Sequence, residues 1–174
     1  MNGIIRCLGV DPGSLACGFA VVERNGSRMS LVEAGVIRSP RGQDFDQRIH
    51  GIHLRLSEAI AAHAPAFMAV ESPFVEKNAA TALKLGQIRG GILLTAALHG
   101  LPVGDYNPMQ VKKAVSGYGW ADKTQVGKMV MTLLGVLGQY GTSGDCEATT
   151  SRNVWSNSSR MPCSTRALSA LPCA

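Results

Sequence analysis

Three apolar runs lead the chain, at residues 4–10, 18–23 and 29–38, each closed by turn-forming residues. Runs of this length predict strands. Asn25-Gly26 supplies a hairpin turn between the second and third, so consecutive hairpins make the three strands antiparallel neighbours. From Phe45 the period changes. Phe45, Ile49, Ile52, Leu56 and Ile60 recur every three or four positions, which predicts a helix to about His63 that stops before Pro65 and packs one stripe on the sheet. Residues 67–70 predict a short buried strand. A second helix, over residues 78–99, carries Leu83, Ile88, Leu94 and Leu98 with Gly86, Gly90 and Gly91 along its course. Each mid-helix glycine costs up to about 1 kcal/mol relative to alanine, so a close approach by another backbone is expected there. Gly100-Leu101-Pro102 ends this helix, and Val103-Gly104 begins a fifth strand. Asn107-Pro108 then starts a helix as N-cap and first-turn proline. Asp122 and Gln125 form a capping-box start to a last helix bearing Val126, Met129, Val130 and Leu133. Three antiparallel strands followed by alternating elements predict an α/β fold, a mixed five-stranded sheet flanked by helices.

This order leaves one acidic residue at each of two strand ends, Asp11 after the first and Glu71 after the fourth. A carboxylate at the carboxyl end of a buried strand is costly to ionise unless a cation or donors compensate. Asp11 has two readings: it closes a turn with Pro12 and Gly13, or it holds a metal or phosphate at the sheet edge. The repetition at Glu71 favours the second. Two carboxylates at adjacent strand ends suit Mg²⁺, and hard divalent ions held this way support phosphoryl chemistry.

Composition narrows the class. With 174 residues and 45% hydrophobic content, the chain can build one domain with a real core. No apolar run is long enough to span a membrane, and a cytoplasmic, soluble protein is expected. Five cysteines without C-x-x-C spacing suggest neither a zinc ribbon nor a disulfide framework; Cys7 and Cys17 read as small core residues. His50, His53, His63 and His99 show no metal-ligand spacing and read as structural or surface residues. Net charge is +5, and residues 77–128 hold seven Lys or Arg against Asp105 and Asp122. Such an excess attracts polyanions, although a solvated helix face has the same composition. The character changes after residue 140. Residues 141–174 lack lysine and isoleucine, hold three of the cysteines and show no helical or strand period, so a core domain over 1–140 and a poorly ordered tail over 141–174 are expected.

Four ordered blocks, "LGVDPG", "AVESPFVEKNAATALKLGQIRG", "YNPMQVKKAVSGYGWADKTQV" and "MVMTLLG", resemble the RuvC-type Holliday-junction resolvases over about residues 5–135. The resemblance implies an RNase H-like fold and a homodimer that binds four-way DNA junctions. It implies symmetric paired nicks in recombination and repair, two Mg²⁺ per active site, and work alongside the RuvA and RuvB branch-migration proteins. It places the first two catalytic, metal-binding carboxylates at Asp11 and Glu71, active-site basic residues at Lys112 and Lys123, and a base-contacting aromatic at Phe74. Lys77, Lys84, Arg89 and Lys113 are candidates for DNA backbone contact, with a solvated surface as the plain alternative. Phe74 has a core reading as well, and Lys112 and Lys113 that of an exposed helix face.

The resemblance fails at the last acidic motif, which the family carries on an Ala-rich helix. The nearest acids are Asp145 and Glu147 in "GDCEATT", where Thr150 stands in place of a second aspartate three residues after Glu147. A lost coding frame near residues 135–150 is the expectation, which resequencing of that gene segment checks. Two other functions compete with the nuclease: a non-catalytic junction-binding dimer lacking a complete metal site, and a nucleotide-binding phosphotransferase of the wider RNase H-like group. The second needs a glycine-rich phosphate loop in a further domain, for which 174 residues leave little room.

Overall fold

The computed structural model describes residues 3–40, 42–72, 78–117 and 119–136. Five strands, β1 (Ile5–Asp11), β2 (Ala16–Asn25), β3 (Arg28–Arg38), β4 (Phe67–Glu71) and β5 (Val103–Tyr106), form one sheet in the order β3-β2-β1-β4-β5. The two hairpin connections make β1, β2 and β3 antiparallel, and β4 and β5 join parallel to β1. The expected mixed sheet is therefore present.

Helices cover both faces. On one face, α1 (Phe45–His63) and α2 (Ala79–Leu98) bury Ile52, Leu56, Ile60, Ile88 and Ile92 against Leu8, Val10, Phe19, Val21, Met68 and Val70. This is the main core. On the other, α3 (Pro108–Ser116) and α4 (Lys123–Leu133) set Val111 against Cys7 and Ala69, and Ala121, Val126 and Val130 against Ala20 and Val22. The period-2 alternation of strand side chains dictates the split: even-numbered β1 residues point to α1 and α2, odd-numbered ones to α3 and α4.

Helix ends follow the predicted chemistry. Asn107 and Asp122 each form a reciprocal capping box with the glutamine three residues on. A cap at Asn78 accepts from the amides of Ala80 and Thr81. Pro65 follows the helix end at His63, with Ala64 in the left-handed region closing α1.

Three readings are refined. Among the glycines of α2, a Cβ on Gly91 would meet the Ile49 Cγ2 at 2.7 Å, so close packing on α1 explains that one glycine; Gly86 and Gly90 face open space. Of the apolar residues read on the second helix, Leu83, Leu94 and Leu98 are exposed, and the buried positions are Ile88, Ile92, Thr95 and Ala96. On α4, likewise, Val126 and Val130 are buried while Met129 and Leu133 are exposed.

The histidines are structural where they are bonded at all: His53 to Thr95, His63 to Glu33 and His99 to Ser57. Cys7 and Cys17 are buried and are not in a disulfide. Burial pushes the Cys7 thiol up to about 12 from 9.0, so it stays protonated at neutral pH and behaves as a small apolar side chain.

Candidate active site

Asp11 is the last residue of β1 and Glu71 the last of β4. The parallel register pairs Val10 with Val70, and one further step sets Asp11 beside Glu71, with backbones about 4.8 Å apart. Both point to the α3 and α4 face, because they share parity with Gly9 and Cys7 or with Ala69. Both are buried, at 5% and 6% exposure. Leu8, Val10, Met68 and Val70 are fully buried on the opposite face and fix the two strand ends.

The turn reading of Asp11 and the site reading are both satisfied by the same tripeptide. A Cβ on Gly13 would collide with the Ala16 carbonyl, so glycine permits the tight return from β1 to β2. That return holds Asp11 opposite Gly18, which adds no side chain beside the carboxylate.

A fourth strand extends the row. Tyr106 pairs with Glu71 across β4 and β5, and its half-buried ring packs with Cys7, Ala69 and Val111. Tyr106, Glu71, Asp11 and Gly18 thus lie side by side across the sheet at the carboxyl ends of its three parallel strands, the usual place for ligands in open α/β sheets. Sequence reasoning missed Tyr106, although the end of the fifth strand was the signal that had worked for Glu71.

The basic candidates fall into three groups. Lys112, half-buried, follows Val111 on α3, and Lys113 is exposed in the last turn of that helix. Lys123 is the first residue of α4. These three belong to the two helices that cover the carboxylate face. Lys84 is exposed on α2, on the opposite layer. Arg89 donates to the Asp105 carboxylate at 2.5 Å, so its charge is matched within the chain. Phe74, Lys77, Asp145 and Glu147 lie outside the described residues. Among the described residues, no group of three or more His, Cys, Asp and Glu comes together; the carboxylate pair stands as a pair.

Chemically, adjacent buried carboxylates repel each other, and a divalent cation bound between them relieves that repulsion while using both as oxygen ligands. The covering helices also carry Lys112, Lys113, Lys123 and Lys128, which make this layer of the sequence basic.

The chain is similar to known proteins over most of its length. Residues 7–145 match the family model described as crossover junction endodeoxyribonuclease RuvC. The crossover junction endodeoxyribonuclease RuvC of Oleidesulfovibrio alaskensis is 46% identical over 145 residues, covering 83% of this chain and 87% of that protein. The structure of Thermus thermophilus RuvC in complex with a Holliday junction substrate superposes with a TM-score of 0.77 at 29% identity, over 95% of this chain and 90% of that one. The yeast mitochondrial Holliday junction resolvase Ydc2 shares the fold at 16% identity, with a TM-score of 0.60 over 95% of this chain and 75% of the other. The RNase H-like fold, the paired carboxylates and the length of the match place this chain in the RuvC family of crossover junction endodeoxyribonucleases.

Proposed function

We propose that the protein cuts four-way DNA junctions by Mg²⁺-dependent, symmetric paired nicks, in the cytoplasm, during recombination and repair. The observation that carries the proposal is the pair of buried carboxylates, Asp11 and Glu71, at adjacent parallel strand ends. The family is one of metal-dependent nucleases, and these residues fit the ion. All-oxygen, anionic ligands suit Mg²⁺, and the repulsion between the carboxylates supplies a reason for binding it. When bound, Mg²⁺ supplies Lewis-acid polarisation of the scissile phosphate and a lowered pKa for a bound water.

The chain's own residues do the rest. Asp11, beside Glu71 on one side and Gly18 on the other, holds the central ligand position. Lys112 and Lys123 neutralise charge on the phosphate, Lys113 and Lys84 contact the DNA backbone, and Phe74 and Lys77 extend that contact. Arg89 contributes to DNA binding only by leaving Asp105. Asp145 or Glu147, in a tail spanning 141–174 beyond the 1–140 domain, are the acids nearest in sequence for a second metal position.

The exposed side of α2 supports the proposed homodimer. Leu83, Gly86, Gly90, Leu94 and Leu98 recur at three or four residues along one side of that helix. The opposite side holds the buried Ile88, Ile92 and Ala96. Apolar residues thus lie on two opposite sides of α2, and among the described residues nothing lies within 4 Å of the Cβ positions of Gly86 and Gly90. A second copy covering this side would give the two active sites that paired nicks require. RuvA and RuvB are the proposed partners that deliver the junction. Leu94, at 59% exposure, is the point to test: Leu94→Glu is expected to convert the dimer to a monomer by sedimentation while leaving the far-UV circular dichroism unchanged. Unchanged mass would place the interface elsewhere.

The function is tested by binding in Ca²⁺, which occupies oxygen sites while holding back cutting. A four-way junction is expected to bind at least about tenfold tighter than a linear duplex of the same length, or ~1.4 kcal/mol. Equal affinities would reject junction specificity.

A further inference from the structure

Trp120 is 74% exposed, the most exposed large apolar side chain among the described residues. It stands in the connection between α3 and α4, and that connection is fixed at both ends. Gly117, at φ +72°, closes α3 with its amide donating to the Lys113 carbonyl at 2.9 Å. Asp122 opens α4, its carboxylate accepting from the Gln125 amide at 2.9 Å while its own amide donates to the Gln125 side chain at 3.2 Å. Ala121, the very next residue, is buried in the cluster with Ala20 and Val22. The backbone therefore turns residue 121 into the core and holds the indole of residue 120 out in water, where a large apolar ring is unfavourable unless something covers it.

Charge says what would cover it. Lys112 and Lys113 precede the indole and Lys123 and Lys128 follow it, while the one acid of the segment, Asp122, has its carboxylate committed to the helix cap. The helices that carry these lysines cover the sheet face to which Asp11 and Glu71 point. An aromatic ring flanked in sequence by cations, in the layer that covers the carboxylate face, suits stacking on a nucleobase while its neighbours follow the backbone. Bases inside a duplex present no free face, whereas a base opened at a strand exchange does. We propose that Trp120 is a stacking platform for an unpaired base of the junction, a positioning contact that selects opened DNA over continuous duplex. The proposal rests on the reading of the protein as a junction nuclease.

Fluorescence tests it without altering Trp120. The chain has two tryptophans, so Trp155→Phe leaves Trp120 as the only reporter. In the free protein its emission should be open to acrylamide. Adding a four-way junction in Ca²⁺ should quench it and protect it from acrylamide, and an equal-length duplex should not. Trp120→Ala should weaken junction binding by about tenfold, ~1.4 kcal/mol, with the salt slope unchanged because no phosphate contact is lost. Trp120→Phe and Trp120→Tyr should restore most of it. An indole shielded in the free protein, a bound junction without quenching, or phenylalanine failing to rescue would each overturn the proposal. Failure of the parent protein to bind the junction at all would instead reject the nuclease reading beneath it.

Discussion

Asp11→Asn is expected to lower junction cutting by at least about 10²-fold, equivalent to ~2.7 kcal/mol of activation free energy, while junction affinity in Ca²⁺ changes by less than about threefold. Asparagine keeps the size of the side chain and removes its charge, so the loss falls on cation ligation. The lysines of α3 and α4, proposed to attract DNA, are untouched. Rates are to be read from single-turnover gels. Full cutting by the variant would remove Asp11 from the reaction. A matched loss of binding and cutting would make it a structural residue of the turn.

Phe19→Ala is expected to have the largest effect on stability, about 3 to 5 kcal/mol. The ring is 2% exposed on the α1 and α2 face of β2. It faces Gly35 across β2 and β3, where a Cβ on Gly35 would come within 2.5 Å of it, so the glycine and the ring are matched in shape. The Arg55 guanidinium lies 5.2 Å from the ring centroid, and Arg55 itself is held by Glu33 and Glu58. Truncation leaves a cavity bounded by two strands and a helix, which cannot collapse without breaking the sheet. Against a usual stability of about 5 to 15 kcal/mol, the loss should lower Tm by roughly 6 to 20 °C. A denaturation midpoint giving a loss under ~1 kcal/mol would show that the site repacks, contrary to the fit of ring and glycine.

Element order was legible because each signal was local. The three leading strands, the α1 stripe from Phe45 to Ile60, and the caps at Asn107 and Asp122 all occupy the predicted places. Local too was the strand-end placement of Asp11 and Glu71, and β-register did the rest by setting them side by side. What sequence left open was the packing of α2. Its leucines and isoleucines lie on different sides of the helix, so the period could not say that Ile88 and Ile92 pack while Leu83, Leu94 and Leu98 are exposed. Tyr106 escaped notice because its place in the row depends on β5 pairing with β4, a long-range fact. Trp120 was invisible for the opposite reason: adjacent residues 120 and 121 differ completely in burial, and only the path of the connecting loop decides which points inward.

The act proposed for the paired carboxylates, the lysine-bearing helices and the open side of α2 is the paired incision of a four-way junction. The most direct measurement labels each strand of a synthetic junction in turn and resolves the products formed in Mg²⁺ and in its absence. The account predicts Mg²⁺-dependent nicks at symmetric positions in two opposing strands, with a linear duplex left intact. Mg²⁺-dependent cutting of duplex and junction alike, or tight junction binding with no nick in any strand, would contradict it.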